Sequence, residues 1–260
     1  NSQRPQFQKG GGSDFLQADH CFATKINIAK SLFNFSNLRF EKILNDRKMP
    51  VRLDVLADGS LALESSAAQR KVPLAAALLS ERNYVTMDGF YKNFAFSDDS
   101  FAALAQMIAL ATQHHIDVKI FISPSHVRRW EVLDFAIGMT EFERFKTKLT
   151  HLVSQYDTAH RVQLWDFAVY HEFTTEPVTE KPMQWHWESS HYKKELGAEI
   201  LHRLFEQSEQ TADFGLKLSP QNIQLHLQQQ RLARQQWLQA NPTQITELKA
   251  NLNSALASER

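Results

Sequence analysis

The stretch "IDVKIFIS", residues 116–123, decides the fold of this chain. Its β-branched and aromatic residues, followed by Pro124, are typical of a buried strand. An amphipathic helical pattern over residues 99–114 leads directly into it, and the same order returns downstream. There, a helical pattern at 140–156 precedes the short apolar stretch "RVQLWDF" at 161–167. This alternation predicts a three-layer α/β fold in which the two strands are parallel neighbours in a sheet flanked by helices.

The sequence before this helix-strand pattern predicts a leader, a helical region and a β-hairpin. Residues 1–20 are polar, with three consecutive glycines, and predict a flexible leader. Residues 21–47 show helical periodicity, and the alternating stretch 51–65 around Asp58-Gly59 predicts a β-hairpin. We therefore divide the chain into a leader (1–20), an α/β domain (21–218) and a helical C-terminal extension (219–260).

The C-terminal extension has clear helix signals. Ser219 and Pro220 are suited to the cap and the first position of a helix, so we expect the helix to begin there. Asn241-Pro242 separates it from a last helix.

Charge and composition exclude several kinds of partner. Lysine plus arginine and aspartate plus glutamate both number 29, so no strong field attracts nucleic acid or an anionic membrane. The longest apolar-rich stretch, residues 101–112, is too short to span a bilayer. The single Cys21 excludes an internal disulfide framework and a four-cysteine zinc site. Because no glycine-rich nucleotide motif occurs, we expect no cofactor.

The stretch "WHWESSH", residues 185–191, carries the strongest chemical signal. Glu188 stands three residues before His191, so its carboxylate can accept the imidazole N–H and leave the other nitrogen as a base. Two other readings use the same residues. Ser189 or Ser190 could cap a helix, with Glu188 near its positive end, or His186, Glu188 and His191 could hold a metal. The spacing differs from the helical H-E-x-x-H motif, and we expect no metal.

Four stretches together resemble the SGNH (GDSL-type) hydrolase superfamily. They are "VKIFISPSH", "WDFAVYHEFTTEPV", "WESSHYKKELG" and "ADFGLKLSPQNIQLHL". The wider match is similar to an uncharacterised, membrane-anchored bacterial branch distantly akin to alginate O-acetyltransferases. By that resemblance, Glu188 and His191 supply two members of a Ser-His-acid triad. The protein would then be an O-acetyl esterase or O-acyltransferase acting on a cell-envelope carbohydrate.

The resemblance also implies elements that this sequence does not show. The superfamily's nucleophile lies in an early Gly-Asp-Ser block, and Asp58-Gly59-Ser60 falls in a predicted hairpin rather than a sharp strand-to-helix turn. We therefore expect the nucleophile, the first βα unit and a membrane segment to lie upstream, with the protein in the periplasm or anchored to the inner membrane. The alternative is a complete, non-catalytic envelope or polysaccharide-binding protein that keeps the fold.

Further candidate residues lie in loops that follow the predicted strands. Ser125 and His126 follow the first strand, and His171 follows the second, where substrate contacts collect in α/β sheets. Trp187 offers an aromatic surface to a sugar ring or closes over the core. Arg128 and Arg129 either meet an anionic sugar or form the solvated start of a helix.

Overall fold

The computed structural model describes residues 73–87, 91, 94, 96–157, 161–205 and 213–258. The chain divides into two compact units, one of residues 1–50 and 96–107 and the other of residues 51–95 and 108–260. In the first unit, only residues 96–107 are described, and most of them are helical. The sheet and all predicted site residues lie in the second unit. The predicted leader, the helices at 21–47 and the hairpin at 51–65 lie outside the described residues.

The described residues form a mixed α/β protein in which helices predominate. The helices are α1 (Pro73–Thr86), α2 (Asp98–Gln113), α3 (Val127–Ile137), α4 (Met139–Ser154), α5 (Lys194–Leu204), α6 (Ile223–Ala240) and α7 (Pro242–Ala257). The strands are β1 (Val118–Ile122), β2 (Val162–Asp166) and β3 (Leu216–Leu218). No helix in the described ranges combines the length and the apolar character that crossing a bilayer requires.

The sheet is mixed and has the order β1-β2-β3. β1 and β2 pair in parallel, with Val118 opposite Val162, so the predicted parallel pairing is confirmed. β3 runs antiparallel to β2, which the helix-strand alternation did not predict. Gly215, just before β3, has a φ of 77°, and a Cβ there would lie 2.4 Å from Cε1 of Phe167. Only glycine permits this approach, which brings β3 to the end of β2.

One face of β2 packs against α5. Trp165 and Phe167 are two positions apart and therefore lie on the same face. They belong to an aromatic-rich core with Leu196, Ile200 and Phe214. The rings of Phe167 and Phe214 lie 5.1 Å apart. The loop residue Val169 joins the same cluster, so this core fixes the start of the loop that follows β2.

The other face of β2 ends in a buried charged cluster. Asp166 Oδ2 accepts hydrogen bonds from Lys146 Nζ of α4 at 2.6 Å and from His226 Nε2 of α6 at 2.8 Å. Burial acts to raise the pKa of Asp166, but Lys146 and His226 outweigh it and lower this pKa. The second oxygen, Oδ1, accepts the backbone N–H of Ala168 at 2.9 Å. Helices therefore contact both faces of β2.

The C-terminal helices pack onto the rest of the second unit. α6 begins at Ile223, with Asn222 as its N-cap, rather than at Ser219, and a tight turn precedes it in which the N–H of Asn222 donates to the carbonyl of Ser219 at 3.1 Å. The predicted break at Asn241-Pro242 is confirmed, and α7 begins at Pro242. Its Leu248 and Leu252 are buried in a cluster with residues of α1 and α3.

Candidate functional site

The Glu-x-x-His stretch lies at the tip of a β-hairpin-like turn. The N–H of Trp187 donates to the carbonyl of His191 at 2.8 Å, and the N–H of Lys193 donates to that of Trp185 at 2.7 Å. α5 begins only at Lys194, and its N-cap residue Lys193 makes no side-chain cap. The reading in which a serine caps a helix at Glu188 is therefore wrong, because the chain leaves the turn in an extended conformation.

Glu188 holds His191 in a fixed orientation. Its Oε1 contacts Nδ1 of His191 directly, as the three-residue spacing predicts. Ser190 also supports the carboxylate, because its hydroxyl donates to Oε1 at 2.6 Å and its N–H donates to Oε2 at 2.9 Å. The Glu188 side chain is 8% exposed and that of His191 is 75% exposed. Nε2 of His191 has no partner among the described residues and is accessible to a substrate.

The contact shifts the pKa values of both partners. Burial acts to raise the pKa of Glu188, but the hydrogen bonds from His191 and Ser190 outweigh it and lower the pKa to about 2. The hydrogen bond to Glu188 raises the pKa of His191, against the effects of burial and of the Arg129 charge. The pair therefore has a permanently ionised carboxylate and a more basic imidazole, which suits a general base and its orienting acid.

Arg129 adds a positive charge to this site. Its guanidinium carbon lies 3.3 Å from the centre of the Tyr84 ring. Within the described part of the chain, Nη1 of Arg129 is buried without a hydrogen-bond partner. Burial lowers the pKa of Arg129 to about 9, against the attraction of Glu188, so the group remains cationic at neutral pH. Stacking on an aromatic ring leaves the guanidinium edge available to a negatively charged group.

Glu176 and His186 hold the turn in place through hydrogen bonds. Glu176 Oε1 accepts the N–H of Trp185 at 2.9 Å, and Nδ1 of His186 lies 2.9 Å from the same oxygen. His186 is fully buried, and its Nε2 lies 3.2 Å from the carbonyl of Pro124, which ties the turn to the loop after β1. No local pattern predicts this contact, because Glu176 and His186 are ten residues apart in an irregular loop.

His126 lies beneath the turn rather than in an open cleft. It is fully buried, and its backbone N–H donates to the carbonyl of Ser189 at 3.2 Å. Its Nδ1 accepts the N–H of Arg128 at 3.2 Å and so caps α3, while Nε2 lies 2.6 Å from the carbonyl of Glu176. Burial, chiefly, lowers the pKa of His126 to about 3. Both ring nitrogens have partners within the protein, and contact with a substrate stays a prediction.

The serines after β1 do not reach His191 through a hydrogen bond. Ser125 is half-buried in a turn in which its N–H donates to the carbonyl of Ser123 at 3.1 Å. Ser123 is exposed, and its side chain hydrogen-bonds with the Tyr192 hydroxyl. Among the described residues, the hydroxyl that meets the His191 ring is that of Ser190, at Nδ1 rather than at Nε2. In the described part of the chain, Nε2 of His191 therefore has no hydroxyl group as a hydrogen-bond partner.

The two remaining candidate residues lie in different surroundings. Trp187 is half-buried at the hairpin, with Nζ of Lys193 4.7 Å from its ring centre. The His171 ring lies 4.6 Å from that of Phe173 and 5.0 Å from that of Phe214. Its Nδ1 accepts the N–H of Phe173 at 3.2 Å. Trp187 therefore lies beside Glu188 in the chain, whereas His171 is part of the aromatic core.

Neither a metal site nor a likeness to known proteins adds to this description of the site. Within the described ranges, no group of three or more His, Cys, Asp or Glu side chains is arranged to hold a metal ion. Comparison of the chain with protein families, curated proteins and solved structures finds no match.

Proposed function

We propose that this chain is an SGNH hydrolase-like domain of an O-acetyl esterase or O-acyltransferase that acts on a cell-envelope carbohydrate. The observation that carries the proposal is the contact between Glu188 and His191, with the carboxylate buried and the imidazole exposed. The parallel β1–β2 pair, with helices against both faces of β2, suits a three-layer fold of this kind. Both chemical groups lie in the loop that follows β2, where reacting groups collect in α/β sheets.

In this proposal, His191 is the general base. Its Nε2 takes the proton from a serine hydroxyl that lies outside the described residues, and the serine oxygen attacks the acyl carbonyl carbon. His191 then returns the proton to the departing sugar oxygen, which leaves an acyl-enzyme. Water or a second sugar hydroxyl takes up the acyl group, with His191 again removing the proton. Glu188 keeps the ring in place and stabilises the imidazolium.

Arg129 has a supporting role in this scheme. Negative charge develops on the acyl carbonyl oxygen as the tetrahedral intermediate forms, and a fixed cation or N–H donor stabilises it. Arg129 is the cation whose charge reaches both Glu188 and His191. It therefore contacts either this oxygen or a carboxylate of the sugar.

The cellular setting follows from the resemblance. An enzyme of cell-envelope carbohydrate works in the periplasm or at the inner membrane. Membrane attachment would come from a segment outside the described residues. The partners are a carbohydrate or an acyl ester, and no nucleic acid is involved.

Acetyl release from an O-acetylated envelope polysaccharide, or acetyl transfer to one, tests the proposal in the native full-length protein. We expect His191→Ala to lower the rate on the order of 10³-fold, because the general base is lost. His202→Ala is a matched control, because Glu199 precedes His202 with the same spacing on α5 but lies 3.8 Å away. An unchanged rate in His191→Ala would remove the catalytic role of the pair.

A second candidate function is binding of an envelope polysaccharide without turnover. It is favoured by one observation, that no hydroxyl in the described residues reaches Nε2 of His191. Saturable polysaccharide binding by the full-length protein, with no acetyl released or transferred, would support it.

A further inference from the structure

In addition to the Glu188–His191 site, the structure contains a cavity of about 420 Å³ among α3, α4 and α6. Its wall includes Trp130, Phe142, Gln230 and Arg231. Tyr170 lines it near the carboxyl end of β2. The volume lies in the range of about 300–1,000 Å³ that is usual for small-molecule sites. No residue of the Glu188–His191 site lines it.

Each cation of the wall is already paired with a carboxylate, either in the wall or directly behind it. Arg231 forms a two-pronged ion pair with Glu143, with Nε–Oε1 at 2.8 Å and Nη2–Oε2 at 2.5 Å. Arg234 pairs in the same way with Glu131, at 2.8 and 2.6 Å. Nη2 of Arg234 also donates to Asp134 at 2.6 Å.

The third cation of the wall, Lys146, is held by Asp166 and by the carbonyl of Ala168 at 2.8 Å. Bidentate arginine–carboxylate pairs are among the strongest hydrogen-bonded contacts in proteins. Each of these cations already has its counter-charge, so an anionic ligand meets no uncompensated positive charge in the wall and a cation meets no uncompensated carboxylate. The cavity therefore favours an uncharged ligand.

The wall still has hydrogen-bonding capacity for neutral hydroxyl groups. Gln230 uses its Oε1 to accept the N–H of Tyr170 at 2.8 Å, while its amide nitrogen has no partner among the described residues. The paired carboxylates keep further lone pairs, and Arg231 keeps further N–H groups. Half-buried Phe142 adds the apolar edge of its ring to this polar surface, while Nζ of Lys146 lies 4.6 Å from the ring centre and Phe145 stacks on the ring at 6.2 Å. Hydroxyls on one edge of a ligand and C–H groups on its face would both be satisfied here.

We propose that this cavity binds one ring of a neutral saccharide. The apolar face of the sugar lies against the edge of the Phe142 ring, and its hydroxyls meet the Gln230 amide and the Glu143–Arg231 pair. The site goes beyond the proposed function, with which it shares the carbohydrate class but no residue. Both saccharide binding here and acyl chemistry at His191 can therefore fail independently.

The test is an NMR titration of the whole chain with four neutral probes, the methyl glycosides of glucose, galactose, mannose and N-acetylglucosamine. Glucuronic and galacturonic acids are the charged counterparts. We expect at least one neutral glycoside to shift the side-chain signals of Gln230 and Arg231 saturably, and the acids to bind more weakly. If none of the four shifts these signals, or if an acid binds more tightly, the proposal is overturned.

Two tryptophan substitutions locate the binding. Thr140 is exposed on the cavity wall, so Thr140→Trp fills the space and should weaken binding about tenfold or more. Gln228 is exposed on α6 outside the wall, so Gln228→Trp should leave the affinity unchanged. Binding should also persist in His191→Ala, which separates this site from the acyl chemistry. Equal affinity in Thr140→Trp and the unsubstituted chain would place the saccharide elsewhere and overturn the proposal.

Discussion

Arg128 and Arg129 follow one another in α3 and lie in opposite electrostatic environments. Arg128 forms a two-pronged ion pair with Glu81 of α1, at 2.7 and 2.9 Å, with both side chains buried. Arg129 stacks on Tyr84 instead and forms no ion pair with a carboxylate among the described residues, although Nη1 of each arginine has no hydrogen-bond partner there. A helix turns by about 100° per residue, so adjacent side chains point in different directions. Neither arginine is a solvated helix start, and they have separate consequences for stability and function.

The buried Arg128–Glu81 pair predicts a large loss of stability when one partner is neutralised. Glu81→Gln leaves the buried guanidinium with only the half-exposed Glu247 carboxylate, 3.9 Å away, and loss of one partner of a buried pair typically costs about 3–5 kcal/mol. The measurement is the free energy of unfolding in urea. Glu141→Gln is the control, because Glu141 pairs with the exposed Arg144, and such pairs are worth about 0–1 kcal/mol. Equal losses for the two substitutions would show that burial does not govern the strength of the first pair.

Removal of the Arg129 charge should raise the pKa of His191. The Arg129 cation disfavours a second positive charge nearby and so lowers the pKa of His191. Arg129→Met keeps an apolar side chain over Tyr84 and removes the charge. An NMR titration of the His191 ring protons measures the change, with Arg129→Lys as the variant that retains the cation. A pKa that falls in Arg129→Met would contradict the placement of Arg129 near the pair.

Removal of the Glu188 charge should have the opposite effect on His191. The hydrogen bond to Glu188 is the main cause of the raised His191 pKa, so Glu188→Gln should lower it. The same NMR titration measures this change. Glu199→Gln, at the second Glu-x-x-His spacing, should leave the His191 titration unaltered. If Glu188→Gln leaves the His191 pKa in place, Glu188 does not orient the ring.

His126 predicts a loss of stability in mild acid. The unfolded ring takes up a proton as the pH falls below about 6.5, whereas the buried ring resists protonation down to about pH 3. The unfolded state therefore binds more protons in this window, and stability falls with the pH, on the order of a few kcal/mol in total. His126→Asn removes the titrating group and keeps a side chain that can cap α3.

The check is the urea midpoint of unfolding between about pH 6.5 and pH 5, above the range in which most carboxyl groups titrate. His126→Asn should flatten the slope in this window. His151→Asn is the control, because His151 is exposed on α4. An undiminished slope in His126→Asn would assign the acid sensitivity to other groups.

The described residues predict that this chain alone does not hydrolyse p-nitrophenyl acetate. No serine hydroxyl in the described ranges reaches Nε2 of His191, so proton abstraction has no nucleophile to activate. The measurement is p-nitrophenolate release above the rate in buffer. Turnover that disappears in Ser123→Ala or Ser125→Ala, but not in Ser190→Ala, would show that a serine after β1 is the nucleophile.

The sequence predicts the local features well. β1 and β2 are recognisable because both are short apolar runs, and their parallel pairing follows from the helical segment between them, which forms the two helices α3 and α4. Glu188 and His191 are only three residues apart, so their contact can also be predicted from the local sequence. α2 and α4 begin within a residue or two of the predicted positions, since their apolar periodicity is strong.

The features that the sequence does not reveal depend on distant residues. Asp166 meets His226 across 60 positions, and Arg128 meets Glu81 across 47, so no spacing rule links the partners. β3 has three residues, too few for a periodic signal, and its direction depends on the close approach of Gly215 to Phe167. The sequence predicts His126 as a loop residue at a strand end. Its burial depends on the hairpin-like turn around Ser189, which lies far downstream in the chain and packs over it.

The Asp166 cluster also sets the order in which this protein can mature on the ribosome. When β2 has emerged, its terminal carboxylate has Lys146 but lacks His226, and β3 has not yet been synthesised. A chain made from the N-terminus therefore cannot complete this sheet or give its buried acid its second hydrogen bond at Oδ2 until residues 216–226 are available. The loop that carries Glu188 and His191 leaves the ribosome before this support exists. The third strand and the His226 contact should therefore form last, after the Glu188–His191 turn and its partners Pro124, His126 and Glu176 have all emerged.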